Sequence, residues 1–288
     1  MKKYLMFMLA AAFMVSCSDN NENLPEDDGE DSGKTSVFEE HDGYFIYHGE
    51  TYKTVKLANG TTWMAEPLRY VPEGFIPSAD PTADSHIWYP YELDTENGNT
   101  AVALTNKVSI QKYGYLYDMY VALEGKEITE ENCSEFEGAQ GICPKGWHIP
   151  TRMEFFALCG KTNKGPGEDK APNDKEDALF YEPSYTGGIV KEYNNAGWNY
   201  ILSGVRMYNA TTPRYQSNAI TTTNTFEGRP ALNYIMSSTY GNTMGNGDIM
   251  FFAQMTTFTS TYPEGRVTVG HSYIKSGVQV RCVKDELK

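Results

Sequence analysis

Cys143-Pro144-Lys145-Gly146-Trp147-His148-Ile149-Pro150-Thr151, followed by Glu154-Phe155, is the stretch on which the reading of the fold turns. Pro144 and Gly146 mark a turn, and Trp147 to Ile149 a short extended piece closed by Pro150. Thr151 then opens a helix. Its hydroxyl accepts from the amide of Glu154 while the Glu154 carboxylate reaches back to the amide of Thr151, which is a capping box. Phe155, Phe156 and Leu158 supply the buried face, and the helix is expected to stop near Gly160. Residues 161–177 are charged and carry Gly and Pro, so they read as a solvated loop.

On the N-terminal side, Tyr44–Tyr47 and Tyr52–Leu57 alternate apolar and polar residues around His48-Gly49-Glu50, the pattern of a β-hairpin. Asn59-Gly60 signals a turn with positive φ, and residues 61–64 continue as a third strand. Residues 71–105 hold Pro72, Pro77, Pro81 and Pro90 and read as a long irregular insertion. Leu116, Met119, Tyr120 and Leu123 fall at helical spacing, which predicts a helix over 113–123. Towards the C-terminus, 200–208, 234–240, 249–258, 266–274 and 277–283 read as strands, with Val278, Val280 and Cys282 sharing one face of the last. Early helices and late strands indicate an α+β domain.

The N-terminus reads as a targeting segment. Lys2 and Lys3 precede an apolar run from Leu5 to Val15, too short for the ~20 residues of a bilayer span. The run ends at Met14-Val15-Ser16-Cys17, which resembles the lipobox of bacterial lipoproteins. That resemblance implies cleavage of residues 1–16 and acylation of Cys17; the alternative is an ordinary signal peptide with an incidental cysteine. Two or three acyl chains would make the membrane a partner. Residues 17–42 then form an acidic tether poor in apolar residues, expected to be disordered, and the domain proper spans 43–288. Ser18-Asp19-Asn20-Asn21-Glu22 is similar to acidic signals that send Bacteroidetes lipoproteins to the outer face of the outer membrane.

The net charge is −14, and −16 once Lys2 and Lys3 are removed. Such a balance argues against nucleic acid as a partner. Aromatic residues make up 13% of the chain, 21 of them Tyr, enough to build a core.

Several segments together resemble the Fibrobacter succinogenes major paralogous domain: 52–56 with Gly60-Thr61-Thr62-Trp63-Met64-Ala65-Glu66-Pro67-Leu68, then Tyr113–Tyr117, Cys143–Thr151 with Glu154-Phe155, Ser237-Ser238-Thr239, and Gly277-Val278-Gln279-Val280-Arg281-Cys282-Val283. The matches run in order from about residue 44 to 285. The resemblance implies a C-type-lectin-like fold, one that also houses formylglycine-generating enzymes. Phe155 stands where those enzymes usually have tryptophan, and the segments 71–105 and 161–195 exceed a minimal member.

Beyond Cys17, four cysteines remain in an exported chain, which suggests two disulfides among three possible pairings. The resemblance implies Cys143–Cys282, leaving Cys133 with Cys159. No Cys-x-x-Cys or Cys/His spacing suits a metal, and the five histidines are scattered and read as turn or core residues. Glu182-Pro183-Ser184 and Trp198-Asn199-Tyr200 lack the residues of a lectin calcium site. Neither a nucleophile elbow nor a zinc-helix motif is present, so no catalytic residue, metal or cofactor is assigned. Trp88, Tyr89 and Tyr91 are the ligand-binding candidates, since loop aromatics stack on sugar rings or fill a partner's pocket. The competing reading has them folding back as cover. The expected role is a non-catalytic binding or adhesion module for glycan or protein ligands. The alternatives are an enzyme on the same fold and a structural subunit of a surface assembly.

Overall fold

A computed structural model describes residues 37–57, 59–94, 96, 100–158, 184–186, 196–199, 201–208, 225–227, 232–244, 247–256 and 266–286. The chain opens with β1 (Phe38–His41), β2 (Tyr44–Tyr47), β3 (Glu50–Lys56) and β4 (Thr62–Met64). The β2–β3 hairpin forms in the expected place. Phe45, Tyr47 and Tyr52 are buried while Tyr44 faces out. Its two turn residues, His48 and Gly49, both have positive φ (48° and 78°), the turn that matches the right-handed strand twist. β1 lies in the stretch assigned to the tether, yet it pairs with β2 from Phe38↔Tyr47 to His41↔Tyr44, so ordered structure begins ahead of residue 43.

Next come β5 (Ile87–Trp88), β6 (Tyr91–Asp94), β7 (Thr100–Ala103), α1 (Lys107–Tyr113), β8 (Leu116–Tyr117) and α2 (Met119–Ala122). This departs from two expectations. The 71–105 segment carries three short strands, with β6 and β7 forming a hairpin and β5 pairing with β8. The single helix expected over 113–123 is two helices flanking an extended pair. Asn106 caps α1 through the Ser109 amide, and Gly114 at φ +68 ends it. A Cβ at Gly114 would stand 2.6 Å from Pro67, so no other residue fits there without displacement. Asp118 then caps α2 through the Val121 amide. Local capping chemistry overrides the apolar spacing, because Leu116 and Tyr117 are buried by sheet pairing and not by a helical face.

The remaining elements are β9 (Trp147–His148), α3 (Arg152–Leu158), β10 (Ser184–Thr186), β11 (Val205–Met207), β12 (Thr225–Glu227), β13 (Leu232–Met244), β14 (Gly247–Thr256), β15 (Arg266–Tyr273) and β16 (Val283–Lys284). Six strands form one sheet in the order β1-β2-β3-β4-β16-β9, and four more a second in the order β10-β15-β14-β13. The result is an α+β domain dominated by antiparallel sheet. The capping box forms as expected: the Thr151 amide donates to Glu154 at 2.7 Å and the Glu154 amide to the Thr151 hydroxyl at 3.2 Å. Phe155 is buried against Trp63.

The C-terminal segment holds the halves of the domain together. Val283 pairs with Trp63 of β4 and with His148 of β9. The Leu68, Met64 and Tyr117 amides donate to the carbonyls of Val280, Cys282 and Val278. Cys143 and Cys282 form a disulfide across a Cα separation of 5.9 Å. Every residue from Ser276 to Val283 is buried, Val278, Val280 and Cys282 among them, and of the strand expected over 277–283 only Val283 lies in a strand, β16. Gln279 and Arg281 point into protein as well. Arg281 donates to the carbonyls of Trp198 (2.5 Å) and Asn199 (2.8 Å) and to the Gln279 side chain (2.9 Å). Burial lowers its guanidinium to about 9, and these acceptors hold it charged at neutral pH.

Candidate functional site

A cleft of about 770 Å³ opens where β5, α2 and the loop after it, β11 and the turn after β15 meet. Trp88 forms part of its floor, buried to 1% exposure. The Arg206 guanidinium stacks on that indole at 4.0 Å. Gly277 makes this packing possible, since a Cβ there would stand 2.7 Å from the Trp88 ring. Nε of Arg206 donates to the Pro81 carbonyl and Nη1 to the Lys275 carbonyl, each at 2.8 Å. Burial lowers the guanidinium to about 10, so it stays charged at neutral pH. Among the described residues no carboxylate lies at ion-pair distance from Arg206 and no acceptor pairs with Nη2. Tyr208 stands beside both cations of this wall: its ring centroid is 5.9 Å from the Arg206 guanidinium and 5.5 Å from the Lys275 ammonium.

His86 and Asp118 form the facing wall. Nδ1 of His86 lies 2.7 Å from Asp118 Oδ2, and the other Asp118 oxygen accepts the Val121 amide. The hydrogen bond that Nδ1 donates to Asp118 holds the imidazole above its ordinary range, against the opposing effect of burial. Nε2 of His86 has no hydrogen-bond partner among the described residues. The Tyr120 ring packs on the imidazole at 4.7 Å and Phe75 on its edge at 5.9 Å. His86 has φ +65°, a conformation that costs a non-glycine residue about 1 kcal/mol or more. Asp84, Thr82, Lys126, Glu127 and Thr129 line the rim.

Of the aromatic candidates, Trp88 and Tyr91 are buried and Tyr89 is half-buried. Tyr91 is fully buried, its hydroxyl accepting the Val205 amide, and Tyr89 packs on Tyr115. Trp88 reaches the cleft as floor beneath Arg206. Trp88 and Tyr91 are 1% and 0% exposed, and of the three candidates Trp88 is the one that lines the cleft. The disulfide Cys143–Cys282 is formed. Cys133 is a free thiol whose Sγ donates to the Glu130 carbonyl, and its expected partner Cys159 lies outside the described residues. So do the signal segment, Cys17, most of the tether and nearly all of 161–195.

The sequence reading missed His86, Asp118, Arg206, Lys275, Tyr120 and Tyr208. One signal was available: Asp118 directly before a helical apolar pattern is a cap. Arg206 between Val205 and Met207 reads as an ordinary outward residue of an alternating strand, and nothing local marks His86.

His148 occupies a second polar cluster. Nδ1 faces Asp285 at 2.6 Å and Nε2 faces Glu154 at 2.9 Å. With a carboxylate at each ring nitrogen, the arrangement favours the doubly protonated ring. Burial works to lower it, but the two carboxylates outweigh that and raise it. The ring thereby ties β9 to the start of α3 and to the residue after β16. Beside it, Ser238 and Thr239 brace the same helix start. The Ser238 amide donates to the Pro150 carbonyl, and the Thr239 hydroxyl accepts the Arg152 amide, both at 2.8 Å. The Ser-Ser-Thr motif is thus a bracket for α3. The cluster ties β9, the start of α3 and the end of β16 together.

Among the described residues no group of three His, Cys, Asp or Glu could hold a metal ion, and no helix is long and apolar enough to cross a membrane. No curated protein and no solved structure matches the chain. The family model of the Fibrobacter succinogenes major domain matches residues 55–284, which takes in β4, the cleft, the capping box, the disulfide and the buried C-terminal segment. Covering well over half of the 288 residues, that match shows that the chain belongs to the Fibrobacter succinogenes major domain family.

Proposed function

We propose that this protein is an exported lipoprotein, held at the outer membrane by acyl chains on Cys17, whose C-type-lectin-like domain is a non-catalytic binding module for an extracellular ligand. The observation that carries the binding role is the cleft. It combines a pinned guanidinium with no carboxylate at ion-pair distance among the described residues, an aspartate-oriented imidazole on strained backbone and two partly exposed tyrosines within about 770 Å³, a volume suited to a small ligand. Convergent polar groups on an apolar floor are what a ligand pocket needs and a packed core avoids.

The binding role is tested by screening the full chain on a glycan array beside Tyr120→Ala and Tyr208→Ala. Glycan retention that disappears in both variants supports the reading. Retention unchanged in both, or no retention at all, would overturn a glycan-binding cleft. The address is tested by metabolic labelling with a fatty acid: wild type carries label and fractionates with membranes, Cys17→Ala carries none and is released, and a label-free wild type contradicts it.

One observation favours a second reading, an enzyme on the same fold. An imidazole whose Nδ1 is held by a buried carboxylate while Nε2 faces a cleft is the arrangement of a general base. No side chain at the cleft is placed by it as a nucleophile, which ranks this reading second.

A further inference from the structure

We propose that the cleft takes a carboxylate-bearing sugar unit, with its acid group at Arg206 and Lys275 and its ring against Tyr208; this deepens the binding role above and rests on it.

The acid group follows from Arg206. Its side chain belongs to a residue only 3% exposed, yet among the described residues no carboxylate is within ion-pair distance. Buried cations are normally paired or fully hydrogen-bonded. Here the two backbone carbonyls and the Trp88 stack fix the guanidinium in place and leave Nη2 for an external acceptor. A fixed guanidinium loses little freedom on binding and suits a planar carboxylate. Exposed Lys275 adds charge on the same side.

The sugar ring follows from the rest of the lining. The cleft is far larger than an inorganic anion or acetate. Tyr208 adjoins both cations, so a ligand whose acid sits there brings its ring to that phenol. Asp84, Glu127, Thr82 and Thr129 stand on the rim and accept hydrogen bonds from hydroxyl groups. An aromatic or aliphatic acid would desolvate those carboxylates without pairing them. A polyhydroxylated ring with one carboxylate satisfies both sets. The overall charge of −14 repels polyanions at long range, so an acid confined to one sugar unit fits better than a densely charged chain.

The test is saturation-transfer NMR on the full chain with glucuronate, glucose and acetate as separate probes. Glucuronate is expected to take up saturation more strongly than glucose, and acetate little. Lys275→Gln should weaken glucuronate up to about fivefold and so narrow its advantage over glucose. Arg206→Gln should abolish the preference. If that variant loses its near-UV dichroism, the double exchange of the exposed Lys126 and Lys275 to Gln decides instead: the preference for glucuronate should shrink further than in Lys275→Gln, and an unchanged preference overturns the assignment. Equal responses to glucose and glucuronate, unmoved by Lys275→Gln, would overturn the acid-sugar assignment while leaving a sugar-binding cleft. An acetate response equal to that of glucuronate would overturn it in favour of a simple anion site. Silence from all three probes, with the array positive and lost in Tyr208→Ala, would also overturn it and leave the binding role intact. Silence in both assays removes both.

Discussion

Replacing Cys143 and Cys282 together by Ala removes a crosslink between residues 139 positions apart. In the chain-entropy treatment, a loop of that length corresponds to about 5 kcal/mol at 25 °C. The bridge matters here because the strand beside it is minimal. β16 has two residues, and Val283 alone joins β4 to β9 through it. Without the bridge, the buried run from Ser276 to Val283 depends on backbone hydrogen bonds and on Arg281. For a domain of this size the loss amounts to a melting temperature lower by roughly 10–20 °C. The assay is urea unfolding of wild type, wild type with reductant and the double variant, followed by fluorescence. The two bridge-free samples should share a lower midpoint. They should also show a steeper denaturant slope, because an uncrosslinked chain exposes more surface on unfolding. Cys133→Ala is the control and should shift the midpoint little, since its thiol is free and only half-buried. Coincident midpoints for oxidised wild type and the double variant would refute the reasoning, as would alkylation of both cysteines in unfolded, unreduced protein.

His148→Gln should destabilise most at mildly acidic pH. The folded-state pKa of His148 is raised above 6.5, so its contribution is fully present below that value and is lost as pH rises through the folded-state value. Urea midpoints of wild type and variant should therefore differ more at about pH 6 than at about pH 9, and a gap independent of pH contradicts an imidazolium between Glu154 and Asp285. Glu154 is held below its ordinary range by His148 and Thr151, against the effect of burial, so Glu154→Gln should cost stability that fades only as the solution becomes strongly acidic. Gly114→Ala forces a side chain into φ +68° and against Pro67, and should cost about 2–3 kcal/mol in the same assay; a neutral result would mean that the α1–β8 junction relaxes freely.

Elements specified by short-range chemistry were legible in the sequence. The His48-Gly49 hairpin, the Thr151–Glu154 capping box and the Cys143–Cys282 bridge lie where turn residues, cap residues and the family resemblance put them. The stretch 113–123 failed because helical spacing alone cannot distinguish a helix from a buried extended pair when Gly114 and Asp118 reset the backbone between apolar residues. The strand expected over 277–283 is a strand only from Val283, and the burial of Arg281 depends on carbonyls offered by Trp198 and Asn199, about 80 residues away. The cleft was hidden for the same reason. His86, Asp118, Arg206 and Lys275 come from four separate segments, and each looks ordinary among its neighbours in the chain. The loop aromatics drew attention instead, and of these Trp88 alone lines the cleft, as its floor.

The central claim is that ligand is held at the cleft between Arg206 and His86. Isothermal titration of the strongest glycan from the array into wild type and into Tyr208→Ala, both folded by near-UV dichroism, tests it most directly. Loss of one stacking tyrosine at this site predicts at least tenfold weaker binding in the variant, a difference of about 1.4 kcal/mol. Equal affinity in the two proteins would place the ligand elsewhere and contradict the account.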